Sequence, residues 1–400
     1  MMKDMKYFFV LGTNPALSIA ELMAVYKLER PLLIGADLLV ADLTAEINPE
    51  KAIQYLGGII KIGLIVQEIS SSSSQQVLLE TITSLAAKKQ QASSAGKFNF
   101  GFSDYGVKTF DKKNLGLQLK KYFSGRGISS RFVVSQEKTL SSVVVTQNKL
   151  LRRGSEIILA EAEGKIFIGE TIAVQPFKDL SRRDYGRPAR DDQSGMLPPK
   201  LAQTMINLAQ AENKDGLLLD PFCGSGTILT EAMLMEYKNI FGSDISVKAI
   251  DDTKKNISWI KELYRLEGIK MKFLAKDVVD LLMFVKPGSV AAIVTEPYLG
   301  PQRGRIEFEA VIKELENLYS RALKNFSAVL ETGGRAVMVW PVFYGDRPIN
   351  PDIGDLKRID ILPAEFKSQP VLQKFLTTRG TIMYGRAGQK VFREVIVLEK

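Results

Sequence analysis

The chain has 400 residues, 45% of them hydrophobic and 25% charged, and a net charge of +9; that length exceeds one ordinary core and predicts two or three domains. It holds one cysteine, Cys223, and no histidine, which excludes Ser-His-Asp hydrolysis, an internal disulfide and almost every zinc set, so no metal is expected. Apolar runs such as Leu281–Val285 are far too short for a membrane span, and Met1–Tyr7 leads into no signal-peptide pattern, which predicts a cytoplasmic protein.

The first part of the chain alternates short strands and helices. Tyr7–Leu11 is apolar and β-prone, and Asn14-Pro15 opens a helix running to about Lys27. Leu38–Leu43 and Ile59–Val66 read as strands around a short helix at Pro49–Leu56. The serines at Ser70–Ser74 mark a joint or a helix start. Gln75–Lys89 has helical spacing, Phe98, Phe100 and Phe102 alternate as in a strand, and Lys112–Phe123 is an amphipathic helix. Strands are predicted at Arg131–Val134, Ser142–Thr146, Ile157–Ala160 and Lys165–Ala173. Gln175–Gly195 is polar, arginine-rich and proline-containing, and reads as a linker.

From Pro198 the pattern becomes regular. Helices are predicted at Leu201–Gln210, Ile228–Met235, Ser246–Tyr264 and Ile306–Phe326. Strands are predicted at Gly216–Leu219, Ile240–Gly242, Met271–Leu274, Val290–Val294 and Arg335–Trp340. Further strands at Lys357–Leu362, Thr381–Tyr384 and Val391–Leu398 close the chain. Strands alternating with long helices mean an α/β, doubly wound, mostly parallel sheet, with an antiparallel pair at one edge.

The charge is uneven. Between Lys97 and Arg153 stand twelve lysines and arginines against three acids, a surplus equal to that of the whole chain. Such a stretch is either a solvated basic face or the positive field that a phosphate backbone needs.

The chemistry concentrates in the second half. Leu217–Asp220 runs as a strand into Pro221, Phe222, Cys223, Gly224, Ser225, Gly226 and Thr227, a glycine turn that opens a helix. Glycines let a ligand approach the backbone, and the helix start offers free N–H groups. A triphosphate-binding loop would need Gly-Lys-Ser/Thr, and a dinucleotide loop a small residue where Leu229 stands. Acids end the next two strands. Asp244, followed by Ile245, stands where ribose hydroxyls would lie, and Asp277, followed by Val278, is suited to an adenine amino group. Each acid alone is also an ordinary helix cap. Together with the glycine loop they predict a site for an adenosyl ligand.

The fourth strand ends in Thr295, Glu296, Pro297 and Tyr298. An acid-Pro-aromatic loop there can stack a base on the ring and accept its amino hydrogens, leaving the nitrogen lone pair to attack a methyl group. That chemistry needs positioning more than proton transfer, which suits a chain without histidine. Methylation of a pyrimidine carbon is set aside, since it usually needs a cysteine nucleophile and Cys223 sits in the cofactor loop.

The Asp220–Thr227 loop resembles that of class I amino-methylating methyltransferases. The segments Arg182–Pro188 and Gly195–Ala202, with the ending Arg386–Glu394, resemble THUMP-containing tRNA guanine-N2 methyltransferases over about residues 175–400. The resemblance implies S-adenosylmethionine as cofactor, tRNA as partner, and methylation of a guanosine amino group, typically at the tenth nucleotide. It also implies a ferredoxin-like region at 1–70, a THUMP-like RNA-binding region at 71–174, a linker at 175–197 and a Rossmann-like methyltransferase domain at 198–400. The candidate RNA contacts are then Lys112, Lys113, Lys120, Lys121, Arg126, Arg131, Arg152 and Arg153, with Arg182, Arg183 and Arg187. The family's catalytic loop usually reads Asp-Pro-Pro-Tyr. Here the acid stands one place along, as Glu296, and Thr295 takes its slot. Two other readings remain: a DNA adenine or cytosine amino-methyltransferase, and a non-catalytic RNA-binding protein on the same scaffold, supported by that shift.

Overall fold

The computed structural model describes residues 5–92, 96–108, 111–190, 196–211, 213–301, 307–344, 346–386 and 388–400. Gly195, Ile306 and Ala387 of the segments named above lie outside them, as does part of the expected linker. The described residues form two compact units. One comprises the described residues within 5–15, 28–54 and 59–177; the other comprises those within 16–27, 55–58 and 178–400.

In chain order the first part contains β1 (Met5–Leu11), α1 (Pro15–Tyr26), β2 (Leu32–Ile34), β3 (Leu38–Leu43), α2 (Pro49–Tyr55) and β4 (Ile59–Ser70). There follow α3 (Gln75–Ala92), β5 (Phe98–Tyr105), α4 (Lys112–Ser124), β6 (Ser130–Val133), α5 (Ser142–Gln147), α6 (Leu150–Arg153), β7 (Gly154–Ala162) and β8 (Lys165–Val174). Its strands make one eight-stranded sheet, ordered β2-β3-β1-β4-β8-β7-β5-β6. The sheet is therefore continuous across residue 70, where two separate regions are expected from the resemblance.

Alternation sets the faces of this sheet. Phe98, Phe100 and Phe102 of β5 are buried in one cluster with Leu119 and Phe123 of α4 and Ile82 of α3, as a period of two requires. Helix α4 starts at Asp111, whose carboxylate accepts from the Asn114 N–H, and burial of its apolar stripe leaves most of its lysines in solvent. Ser142–Thr146, expected as a strand, is helical. The Ser141 hydroxyl accepts from the Val144 N–H and caps the turn, and that cap outweighs the strand preference of three consecutive valines.

The second part contains α7 (Phe177–Tyr185), α8 (Pro199–Leu208), β9 (Leu217–Asp220), α9 (Thr227–Leu234), β10 (Asn239–Asp244), α10 (Val247–Tyr264), β11 (Lys270–Ala275), β12 (Val290–Thr295) and α11 (Phe308–Val329). It ends with β13 (Leu330–Phe343), β14 (Arg347–Pro348), β15 (Lys357–Arg358), α12 (Ala364–Lys367), β16 (Ile382–Tyr384) and β17 (Val391–Glu399). The sheet order is β11-β10-β9-β12-β13-β17-β15. Strands β9 to β13 are parallel to one another, and β17 runs antiparallel to β13, β15 and β16. The expected mostly parallel α/β sheet with an antiparallel edge is thus present. The chain winds outward from β9 through β11, then returns to the other side of β9 with β12. That reversal opens a crevice at the carboxyl ends of β9 and β12.

The expected linker is partly a packed helix. On α7, Arg183 gives two hydrogen bonds to Glu231 of α9, at 2.8 and 3.1 Å, and a third to Asp179 at 2.5 Å. Arg187 donates to the Thr227 hydroxyl at 2.6 Å, and Asn256 of α10 bonds both the N–H and the carbonyl of Ala189. Among the described residues no helix is long and apolar enough to cross a membrane.

Candidate active site

A cleft of about 490 Å³ lies at the reversal point of the second sheet, a volume within the ordinary range for small-molecule sites. It is lined by the Asp220–Thr227 loop apart from Gly226, by Asp244, Ile245, Asp277 and Val278, and by Glu296, Pro297 and Tyr298. One cleft therefore brings together four segments that are well separated in the sequence. The ladder explains how: Gly242 lies beside Asp220, Asp244 beside Ala275, and Ile293 beside Leu219, so each acid falls at a carboxyl end.

The glycine turn is held from several sides. Gly224 and Gly226 have φ of +50° and +83°, a region that favours residues without a β-carbon. The Gly224 N–H donates to Asp244 Oδ2 at 3.0 Å, while the Gly224 carbonyl accepts from the Thr253 hydroxyl at 2.8 Å. Asp244 Oδ1 accepts from the Ser246 N–H at 2.9 Å. This acid fixes the turn and still lines the cleft. Asp277 accepts from the Val279 N–H at 3.1 Å, so it caps the short 3-10 turn at Val278–Met283 and lines the cleft as well. Ile245 is 74% exposed at the cleft, an aliphatic surface suited to the flat face of a base.

Asp220 is buried, and burial raises its carboxyl from 3.8 to about 7 despite hydrogen bonds from the Thr295 hydroxyl and the Phe222 N–H. Cys223 is also buried, which pushes its thiol well above its ordinary value; a neutral thiol is a poor nucleophile. Among the described residues no group of three metal-ligating side chains converges.

The catalytic loop differs from the expectation at one position. Thr295 is fully buried and its hydroxyl donates to Asp220 Oδ1 at 2.7 Å, so it braces β12 against β9 and does not line the cleft. Glu296 does line it, and its Oε1 accepts from Arg393 Nε at 2.5 Å. Tyr298 is 57% exposed, and its backbone carbonyl accepts from the buried Tyr319 hydroxyl at 2.9 Å. The ring is thus presented to solvent from an anchored loop.

Two of the expected RNA contacts are corrected by the fold. Arg183 and Arg187 are 5% and 7% exposed and committed to Glu231, Asp179 and Thr227, so they hold the domain together. Arg182 is exposed, as are Lys113, Lys120, Lys121, Arg126, Arg131, Arg152 and Arg153. Lys112 is half-buried and donates to two backbone carbonyls, those of Glu137 and Lys138. The Arg126 guanidinium lies 3.8 Å from the centre of the Tyr122 ring. Sequence reasoning missed Met196, Leu197, the Lys248–Asp252 pair and Leu318, all at the cleft. The i,i+4 spacing of Lys248 and Asp252 is visible in the sequence but does not by itself point to a site.

The sequence profile of RMKL-like methyltransferase domains matches residues 187–342, a range spanning the glycine loop, all four strand ends and Tyr298. A DNA methylase profile matches residues 81–255 and stops before Glu296. A probable tRNA (guanine(10)-N2)-dimethyltransferase of Methanothermococcus thermolithotrophicus is 32% identical over 157 residues, covering 38% of this chain and 84% of that protein. This chain belongs to the tRNA guanine-N2 methyltransferase family. The tRNA (guanine(10)-N2)-dimethyltransferase of Pyrococcus abyssi is 28% identical over 219 residues, 52% of this chain and 58% of that protein. The chain spans between 39% and 58% of the length of the first curated relatives it matches. The crystal structure of TrmN from Thermus thermophilus shares the fold over 99% of both chains, with a TM-score of 0.52 and 19% identity.

The cleft fits the family's cofactor by its own chemistry. Two left-handed glycines admit a ligand to the backbone, Asp244 and Asp277 offer acceptors at successive strand ends, and Ile245 offers an apolar face.

Proposed function

We propose that this protein transfers a methyl group from S-adenosylmethionine to an exocyclic amino group of RNA, the N2 of a guanosine in tRNA. The observation that carries the reading is one cleft shared by the Asp220–Thr227 loop and the Glu296–Tyr298 loop. The first loop would hold the cofactor, with Asp244 accepting from ribose hydroxyls and Asp277 from the adenine amino group. When bound there, the cofactor supplies an electrophilic methyl carbon.

The chain's own residues would then act on the base. The exposed Tyr298 ring stacks on it, an interaction worth about 1–3 kcal/mol per base. Glu296 and the loop carbonyls accept the amino hydrogens and point the nitrogen lone pair into the cleft. Rate enhancement comes from alignment and electrostatics, since the chain has no histidine and Cys223 stays neutral. The exposed cations of α4, β6 and α6 would hold the RNA backbone, and the cytoplasm is where such a substrate is met.

Methyl transfer from labelled S-adenosylmethionine to tRNA, ribosomal RNA and duplex DNA tests the reading. Preferential labelling of tRNA supports it. Preferential labelling of DNA would favour the DNA amino-methyltransferase reading suggested by the match over residues 81–255, and turnover on none would leave a binding protein.

A further inference from the structure

The catalytic loop contains an unusual pairing. Thr295 occupies the position of the family's acid and is turned away to Asp220. Of the side chains at 295–298, only Glu296 therefore offers a carboxylate to the cleft. Its Oε1 is taken by Arg393, and its Oε2 has no hydrogen-bond partner among the described residues. Both side chains are mostly buried, at 12% and 14% exposure. Arg393 sits on β17, beside Pro341 of β13 and Tyr384 of β16, so the arginine is fixed by the sheet on both sides.

A carboxylate is an acceptor only. Of the bases with an exocyclic amine, guanine alone presents two adjacent donors, N1–H and N2–H. Adenine and cytosine pair their amine with a ring nitrogen that is an acceptor, which would set lone pair against lone pair. A mostly buried carboxylate magnifies that difference, because an unpaired polar group there is costly.

We propose that Arg393 is a positioning residue that holds Glu296 with one oxygen free, and that Glu296 selects guanine by accepting from its N1–H and N2–H edge. The proposal rests on the reading of the site as an amino-methyltransferase. It makes the displaced acid the base-selecting element of this chain. Arg393, 97 positions away in sequence, is what aims it.

The test uses tRNA transcripts bearing either guanine or 2-aminopurine at the nucleotide that the wild-type chain modifies. 2-Aminopurine keeps the amine but replaces N1–H with an acceptor. The wild type is expected to favour guanine at least about 100-fold in kcat/KM. Glu296→Gln, whose amide can donate to that nitrogen, is expected to narrow the ratio to about tenfold or less while cofactor affinity, by calorimetry, stays within about twofold. Arg393→Gln should lower kcat about 100-fold, and Arg393→Lys should restore part of the loss, which a role in folding alone would not produce. Should Glu296→Gln fail to fold, the wild-type ratio and the Arg393→Lys rescue carry the test. Equal use of both bases by the wild type, or an unchanged ratio in Glu296→Gln, would overturn this proposal alone. No N2-methylated guanosine from the wild type would overturn the functional reading and this proposal with it.

Discussion

Replacing Asp244 by alanine separates cofactor binding from every other role in the cleft. The wild-type carboxylate accepts from the Gly224 N–H at 3.0 Å and the Ser246 N–H at 2.9 Å, and each oxygen keeps a second lone pair for a ribose hydroxyl. A hydrogen bond to a charged group contributes about 1.5–3 kcal/mol. Losing two to the ribose, with some loosening of the turn at Gly224, should cost about 3–4 kcal/mol of binding, or a rise in Kd of about 100-fold to 1,000-fold. Asp244→Asn keeps one acceptor and should fall between, near tenfold. Isothermal titration with S-adenosylhomocysteine, alongside thermal denaturation to confirm folding, gives the numbers. An unchanged Kd in a folded Asp244→Ala protein would refute the assignment of the ribose site.

Other substitutions probe the packing, the base site, the buried acid and the basic face in turn. Arg183→Ala strips the partner from the buried Glu231, at a cost of about 3–5 kcal/mol, and should lower the melting temperature by on the order of 10 °C; an unchanged melting temperature would restore Arg183 as a surface contact. Tyr298→Ala should reduce methyl transfer about 10-fold to 100-fold, the worth of the lost stack, with cofactor affinity nearly intact, because Tyr319 still anchors the loop backbone, and full turnover would remove the ring from the site. Burial raises Asp220 from 3.8 to about 7, so the folded state holds a proton that the unfolded chain gives up earlier. That stabilisation is complete below about pH 4 and lost as pH rises through 7, so wild type should lose more melting temperature between pH 5 and 8 than Asp220→Asn, and parallel curves would contradict it. RNA affinity should fall steeply with salt, and replacing Lys120, Lys121 and Arg126 should flatten the log–log slope by about 0.9 for each phosphate that is no longer neutralised; a salt-independent wild type would rule the basic face out as the RNA surface.

The site is legible in the sequence where chemistry and local order coincide. The glycine turn, Asp244 and Asp277 follow strands whose alternation with helices already implies their carboxyl ends, so their convergence can be argued from spacing. Packing across distant segments is less legible. Arg183 and Arg187 sit in a polar, proline-bearing stretch that reads as a linker, yet Glu231 and Thr227 bury them. The i,i+4 spacing of Asp179, Arg183 and Arg187 is the available signal, and only the partner on α9 gives it meaning. Ser142–Gln147 departs from its expected strand because a single cap at Ser141 outweighs three β-branched residues. The Glu296–Arg393 pair has no local signal at all, since it depends on β17 lying antiparallel beside β13.

The central claim is tested most directly by incubating the purified chain with labelled S-adenosylmethionine and total tRNA, digesting the RNA and resolving the nucleosides by mass spectrometry. The predicted result is label in N2-methylguanosine, its N2-dimethylated form, or both, reduced when Tyr298 is replaced by alanine. Label confined to methyladenosine or methylcytidine, or cofactor binding with no labelled nucleoside, would contradict it.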